Sequence, residues 1–169
     1  VGKPEIDLDP AISVHDDRVY AKGRENLRRL IAEGTLAREE RPCLYVYRQR
    51  MGEHVQAGLV GLCSVREYER GLVKRHEHTR KDKEDDRTRH VAEQNANAEP
   101  VFLAYRARDE IDALVAAVLT RPAAYDFVAG DGIGHALWVV ADPGAIGAPL
   151  SADPLLALLV LLDLGDQHV

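Results

Sequence analysis

Apolar residues recur at helical spacing over His15–Glu33, where Val19, Tyr20, Leu27, Leu30 and Ile31 share one face and Gly34 supplies a stop. Asp16 and Asp17 suit the first turn of that helix, whereas Gly23 inside it is unfavourable for helix formation. The pattern then changes period. Over Cys43–Arg50, Leu44 and Val46 alternate with Tyr45 and Tyr47, and His54–Ser64 carries Val55, Ala57, Leu59, Val60 and Leu62. With Met51-Gly52-Glu53 between them, these two stretches predict a β-hairpin. Val65–Arg70 predicts a short helical turn ended by Gly71, and Leu72–Arg75 a short strand.

Lys81–Asn97 predicts a polar helix, broken by Pro100, and Val101–Tyr105 a strand. Asp109–Thr120, with Ile111, Leu114, Val115, Val118 and Leu119, is an amphipathic helix with acids in its first turn. Tyr125–Val128 and His135–Val140 flank Gly130-Asp131-Gly132 as a second hairpin. Helices interspersed with hairpins predict an α+β fold with a mixed, mostly antiparallel sheet and packing helices. Residues 1–142 form the expected domain. Residues 143–169 form an Ala/Leu/Pro/Gly-rich tail containing the longest apolar run, Leu155–Leu162. That run is far shorter than the ~20 residues of a membrane span. No secretory signal opens the chain, so a cytoplasmic protein is expected. An exposed Leu-rich tail is expected to pack against a partner, for instance a second copy.

Composition changes the picture only when it is located. The 169 residues carry 22 Lys+Arg against 28 Asp+Glu, a net charge of -6. Residues 1–100 hold 19 of each sign, and residues 101–169 hold 3 basic and 9 acidic residues. This division argues against a chain that is one basic nucleic-acid surface. Cys43 and Cys63 are too few for a disulfide framework and no CxxC is present, so both are expected to be reduced core thiols.

One segment concentrates chemistry. Lys74–His90 reads KRHEHTRKDKEDDRTRH, with 7 basic residues, 5 acidic residues, 3 histidines and 2 threonines. Such a run is solvated unless its charges are paired, and Lys81–Asp85 is a favourable i,i+4 pair whereas Lys83–Arg87 is like-signed. Lys83 and Arg87 on one face near a helix N-terminus, preceded by Arg80, form an anion-binding arrangement. A carboxylate beside it, Glu77, could accept a hydroxyl proton or hold a divalent ion bridging phosphates. His76 and His78 alternate on a strand and His90 could join them, but the HExxH spacing is absent and no metal site is expected.

The stretch CLYVYRQRMGEHVQAGLVGLCSVREYERGLVKRHEHTRKDKEDDRTRH resembles a bacterial and archaeal family, domain of unknown function 1015. The likeness continues through AEPVFLAYR at Ala98–Arg106 and, more faintly, YDFVAGDGIGHALWVV at Tyr125–Val140. That family is distantly similar to the ParB/sulfiredoxin-like group, which includes free-serine kinases. The resemblance implies that Glu77, in the pair His76-Glu77, activates a substrate hydroxyl. Beside that carboxylate, Arg80, Lys83, Arg87 and His90 are expected to bind the phosphates of a nucleotide, ATP or ADP with Mg²⁺. The group's Asp-Gly-His-His-Arg-like phosphate box is not found: Leu162–Val169 and Gly130–His135 carry its Asp, Gly and His but no Arg. The chain therefore reads as a truncated or diverged piece of a longer protein. The remaining expectations are a non-catalytic nucleotide-binding or ParB-like module, with nucleic acid disfavoured by net charge, and a partner-binding fragment.

Overall fold

The computed structural model describes residues 1–73, 79–103, 109–141 and 156–162, excepting the side chains of residues 63, 64, 110 and 156–162. The chain divides into two compact units that interleave in sequence: Val1–Arg38 with Val73–Glu99, and Glu39–Leu72 with Pro100–Val169.

The first unit is a helix pair. Helix α1 (Asp17–Ala32) begins where the Asp16 carboxylate accepts from the Arg18 backbone N–H at 2.9 Å, satisfying one of the orphan donors of the first turn. Its buried residues Val19, Tyr20, Gly23 and Asn26 recur at helical spacing. A short 3-10 turn (Pro4–Asp7) docks on this stripe, and the Asn26 amide donates to Asp7 Oδ2 at 2.7 Å. Gly23, unfavourable for helix formation, has a packing reason: a β-carbon there would stand 2.7 Å from Gln94 Nε2 and 3.4 Å from Pro4 Cγ. Gln94 lies in the other long helix of this unit, described below.

The second unit is built on a six-stranded sheet. Strands β1 (Leu44–Met51) and β2 (His54–Ser64) form the expected hairpin, with Met51 opposite His54. A short helix α2 (Val65–Glu69) follows. Strand β3 (Val101–Leu103), helix α4 (Asp109–Leu119; α3, Lys81–Gln94, belongs to the first unit), strand β4 (Tyr125–Val128) and strand β5 (Gly134–Val140) come next, and β4 and β5 form the second hairpin. Strand β6 (Leu156–Leu162) lies in the apolar tail. The order across the sheet is β3-β6-β2-β1-β5-β4, antiparallel throughout except for the parallel β3–β6 pair. This is the α+β class, with a mixed sheet.

The period-2 pattern sorts the sheet residues onto two faces. Leu44, Val46, Leu59, Ala136, Trp138 and Val140 form a buried cluster with Val118 of α4, bordered by Ile111, Leu114, Val115 and Leu119. The Trp138 indole N–H donates to the Arg121 carbonyl at 2.9 Å, which ties the end of α4 to β5. Next to this core, the Arg48 guanidinium stands 5.1 Å from the Trp138 ring centre. On the other face the Tyr47 hydroxyl and His135 Nδ1 share a hydrogen bond of 2.6 Å, and Phe127 stacks on His135 at 5.3 Å.

One reading changes against the structure, one is described in part, and one gains an element. The expected strand at Leu72–Arg75 is a bend at Leu72 and Val73, and the other two residues lie outside the described ones. The strand expected over Val101–Tyr105 is described only to Leu103. The apolar run of the tail, expected to seek a partner surface, is a strand paired on both sides, with β2 and with β3. An all-apolar heptad of residues has no alternating signature, and its strand character comes from the edges it meets. Cys43 is a free, half-buried thiol. Among the described residues no helix is long and apolar enough to cross a membrane.

A candidate phosphate-binding surface on helix α3

Helix α3 (Lys81–Gln94) has the sequence KDKEDDRTRHVAEQ and almost no apolar material, so packing alone does not account for its place. Its inward face is polar and is matched group by group to α1. The Tyr20 hydroxyl donates to Asp86 Oδ1 at 2.8 Å, Arg24 pairs with Glu93 at 2.7 Å, and Arg89 pairs with Asp17 at 2.5 Å. The Arg89 guanidinium also lies 4.0 Å from the Tyr20 ring centre. The helix ends at Asn95, in the left-handed conformation with φ 50°, a common helix stop.

Its outward N-terminal half carries the cations. Arg80 occupies the N-cap position, and its carbonyl accepts from the backbone N–H groups of Lys83 and Glu84 at 3.0 and 3.1 Å. An open groove is lined by Thr79, Arg80, Lys83, Glu84, Arg87 and Thr88, together with Lys81 and Asp85. Lys83 and Arg87 stand four residues apart along this groove, as their spacing predicts. The charges in it are unequal. Arg80 grips Asp82 through two N–H donors, at 3.1 and 2.6 Å, and this holds the Asp82 carboxyl below its usual range. Lys81 is paired with Asp85, which raises the ammonium pKa, and Arg87 is paired with Glu99. The Lys83 side chain makes no ion pair or hydrogen bond among the described residues. The like-signed crowding of Lys83 and Arg87 is thus relieved by Glu99 from beyond the helix.

Of the residues singled out in the sequence, Arg80, Lys83 and Arg87 come together on this groove. His76 and Glu77 lie outside the described residues, as does His78. His90 is placed elsewhere on the helix. Its side chain is 13 % exposed, its ring centre lies 4.7 Å from that of Tyr20, and its Nδ1 accepts from Gln94 Nε2 at 3.3 Å. With Nδ1 accepting, Nε2 carries the proton and faces Asp86 Oδ1 at 4.0 Å. Among the described residues no three His, Cys, Asp or Glu side chains are grouped to hold a metal ion.

Sequence reasoning missed the carboxylate around which the inner face is organised. Asp86 is 16 % exposed, accepts from Tyr20, and takes the Nδ1–H of His15 at 3.3 Å. Burial pushes its pKa up, but the Tyr20 and His15 hydrogen bonds and the nearby His90 outweigh that and hold it below the usual carboxylate value. The signal was available: Asp86, Arg89, His90, Glu93 and Gln94 recur at steps of three, four and one, the period of one helix face. It was hidden because a polar stripe inside a charged run looks like solvated surface. No curated protein matches the chain, and no solved structure matches it. Residues 1–152 do match a family model described as Protein of unknown function (DUF1015). The match takes in the α1–α3 pair, the cationic groove and five of the six strands, and the chain belongs to that family.

Proposed function

We propose that the protein binds a phosphate-bearing small molecule on the outward N-terminal half of α3 and transfers a phosphoryl group from ATP, with Mg²⁺, to the hydroxyl of a small metabolite such as free serine. The observation that carries the reading is the groove itself, in which the Lys83 side chain has no partner among the described residues while Arg80 and Arg87 flank it and Thr79 and Thr88 supply hydroxyls. The likeness to the free-serine kinase group supports the choice of substrate. In this reading Glu77 accepts the substrate hydroxyl proton as the oxygen attacks the γ-phosphorus and the bond to the β,γ-bridging oxygen breaks, releasing ADP. His76 orients that carboxylate. Lys83, Arg80 and Arg87 neutralise charge on the phosphoryl oxygens, with His90 supporting the helix face behind them. Magnesium, when bound, would be held on the acidic side of the groove, where Glu84 lies, and would supply positive charge that offsets the charge on the phosphates.

The internal pairing of Arg80 and Arg87 favours a second reading, a nucleotide-binding module without catalysis. An incoming phosphate must compete with Asp82 and Glu99, which suits reversible binding better than tight positioning. Nucleic acid fits this groove less well, because Glu84 and Asp85 line it as well.

Thermal shift with Mg·ATP and Mg·ADP, together with a serine-phosphorylation assay, separates these outcomes. Catalysis predicts a rise in Tm with nucleotide, an affinity loss of about tenfold for Lys83→Ala, and a loss of roughly a hundredfold or more in phosphoserine formation for Glu77→Gln with nucleotide binding retained. Binding without turnover selects the second reading. No nucleotide-dependent shift at low salt overturns both.

A further inference from the structure

Strand β6 is the only described strand that falls outside the residues matching the family, which end at 152. It is nevertheless an interior strand. Its backbone pairs antiparallel with β2 from Gly58↔Leu162 to Ser64↔Leu156 and parallel with β3 from Val101↔Leu159 to Leu103↔Leu161. The family-matched residues therefore present a seven-residue edge on β2 that an appended strand, LALLVLL, covers. An uncovered edge of that length is a template for any strand of suitable register.

The connection to β6 is longer than the fold requires. The pairings place the end of β5 and the start of β6 at the same end of the sheet, because Leu44↔Val140 and Ser64↔Leu156 both lie there. The two strands are separated laterally by three inter-strand spacings, about 14 Å. The fifteen residues 141–155 have a contour length of about 50 Å. That contour length is sufficient to span to the β2 edge of a neighbouring molecule as well as to its own. The strands flanking β6 also carry apolar side chains that the chain leaves open. Leu62, Val101 and Phe102, the register partners of Leu158, Leu159 and Val160, are 43 %, 52 % and 49 % exposed.

We propose that β6 is an exchanged strand: Leu156–Leu162 of one copy fills the place between β2 and β3 of a second copy, and the reverse, giving a symmetric dimer. The backbone ladder is the same whichever copy supplies β6, so exchange adds no cost in strand pairing. Bringing the second copy against the face that carries Leu62 and Phe102 covers both side chains. The partner is thus a second molecule of this chain, joined through backbone pairing.

Cross-linking at Val60 and Val160, which are Cα partners across β2 and β6, tests this. In a background with Cys43 and Cys63 replaced by Ser, full-length Val60→Cys chains and separately tagged Val160→Cys chains are unfolded together, refolded and oxidised with glutathione. Exchange predicts covalent pairs containing one copy of each kind, and a mass in solution of twice the chain mass. Adding Leu159→Pro to the Val160→Cys copy, which removes a ladder donor from β6, should abolish the cross-link. The doubly substituted chain makes the result decisive. If it closes a disulfide as a monomer while mixed copies stay uncoupled, β6 belongs to its own sheet and the proposal is overturned. Failure of the doubly substituted chain to close in any form overturns it as well, since β2 and β6 then do not pair.

Discussion

The phenol of Tyr20 and the carboxylate of Asp86 meet at 2.8 Å across the α1–α3 pair, sixty-six residues apart in sequence. Both groups are largely shielded, and around them His15, His90 and Arg89 complete a polar interior where most helix pairs have an apolar one. Tyr20 keeps its ring in van der Waals and cation–π contact when the hydroxyl is removed, so Tyr20→Phe isolates the hydrogen bond. Hydrogen bonds to charged groups contribute about 1.5–3 kcal/mol, and we expect Tyr20→Phe to cost about that much. Urea unfolding followed by circular dichroism reads it. Combining the change with Asp86→Asn should give less than the sum of the two single losses, because the residues share one interaction.

The same carboxylate sets an acid limit. Asp86 has a folded-state pKa below its ordinary value of 3.8, so its contribution to stability is fully present above that value and is lost as pH falls through the lower, folded-state value. Protonation would leave Tyr20 and His15 facing a neutral acid. Stability measured from pH 6 down to pH 2 should therefore fall with a component that disappears in Asp86→Asn. An identical acid profile in that variant would show that other carboxylates carry the whole dependence.

Gly23 should respond to its neighbour. Replacing a helical glycine by alanine gains about 1 kcal/mol in helix propensity. The new β-carbon would press on Gln94 Nε2, which donates to the Val1 carbonyl and to His90. Displacing a buried amide from these partners costs about 1–3 kcal/mol, so Gly23→Ala should be neutral to destabilising in the native chain. In a Gln94→Ala background the obstruction is gone and the same substitution should stabilise. A reversal of sign between the two backgrounds, read by chemical denaturation, is the expected outcome.

The local elements were legible because each rests on a short-range rule. Leu44 and Val46 alternating with Tyr45 and Tyr47 gave β1, and Ile111, Leu114, Val115 and Val118 gave α4. Lys83 and Arg87 were placed on one face by spacing alone, and the structure puts both on the groove. What stayed hidden was long-range. Glu99 neutralising Arg87, Asp17 engaging Arg89, and β2 receiving β6 each depend on partners that no local pattern names. His90 has the same origin: it was read beside His76 and His78, and the partner its ring lies against is Tyr20. A helix with a polar inner face defeats the rule that buried means apolar, and this is why Asp86 was read as surface.

The interleaving of the two units has a consequence for the order in which the chain can mature during synthesis. The β1–β2 hairpin is contiguous and can form as soon as residues 44–64 emerge, on the microsecond scale of isolated hairpins. Helix α1 emerges before it yet must wait for Lys81–Gln94, because its polar partners lie more than sixty residues downstream. The outer edge of β2 waits longer still, since Leu156–Leu162 follows every other strand in chain order. At elongation rates of about 5–20 residues per second, that edge stands open on the ribosome for several seconds, far longer than any folding step it could otherwise join. A nascent chain of this kind carries an unpaired β-edge through most of its synthesis, and that edge is closed only when the last described strand arrives.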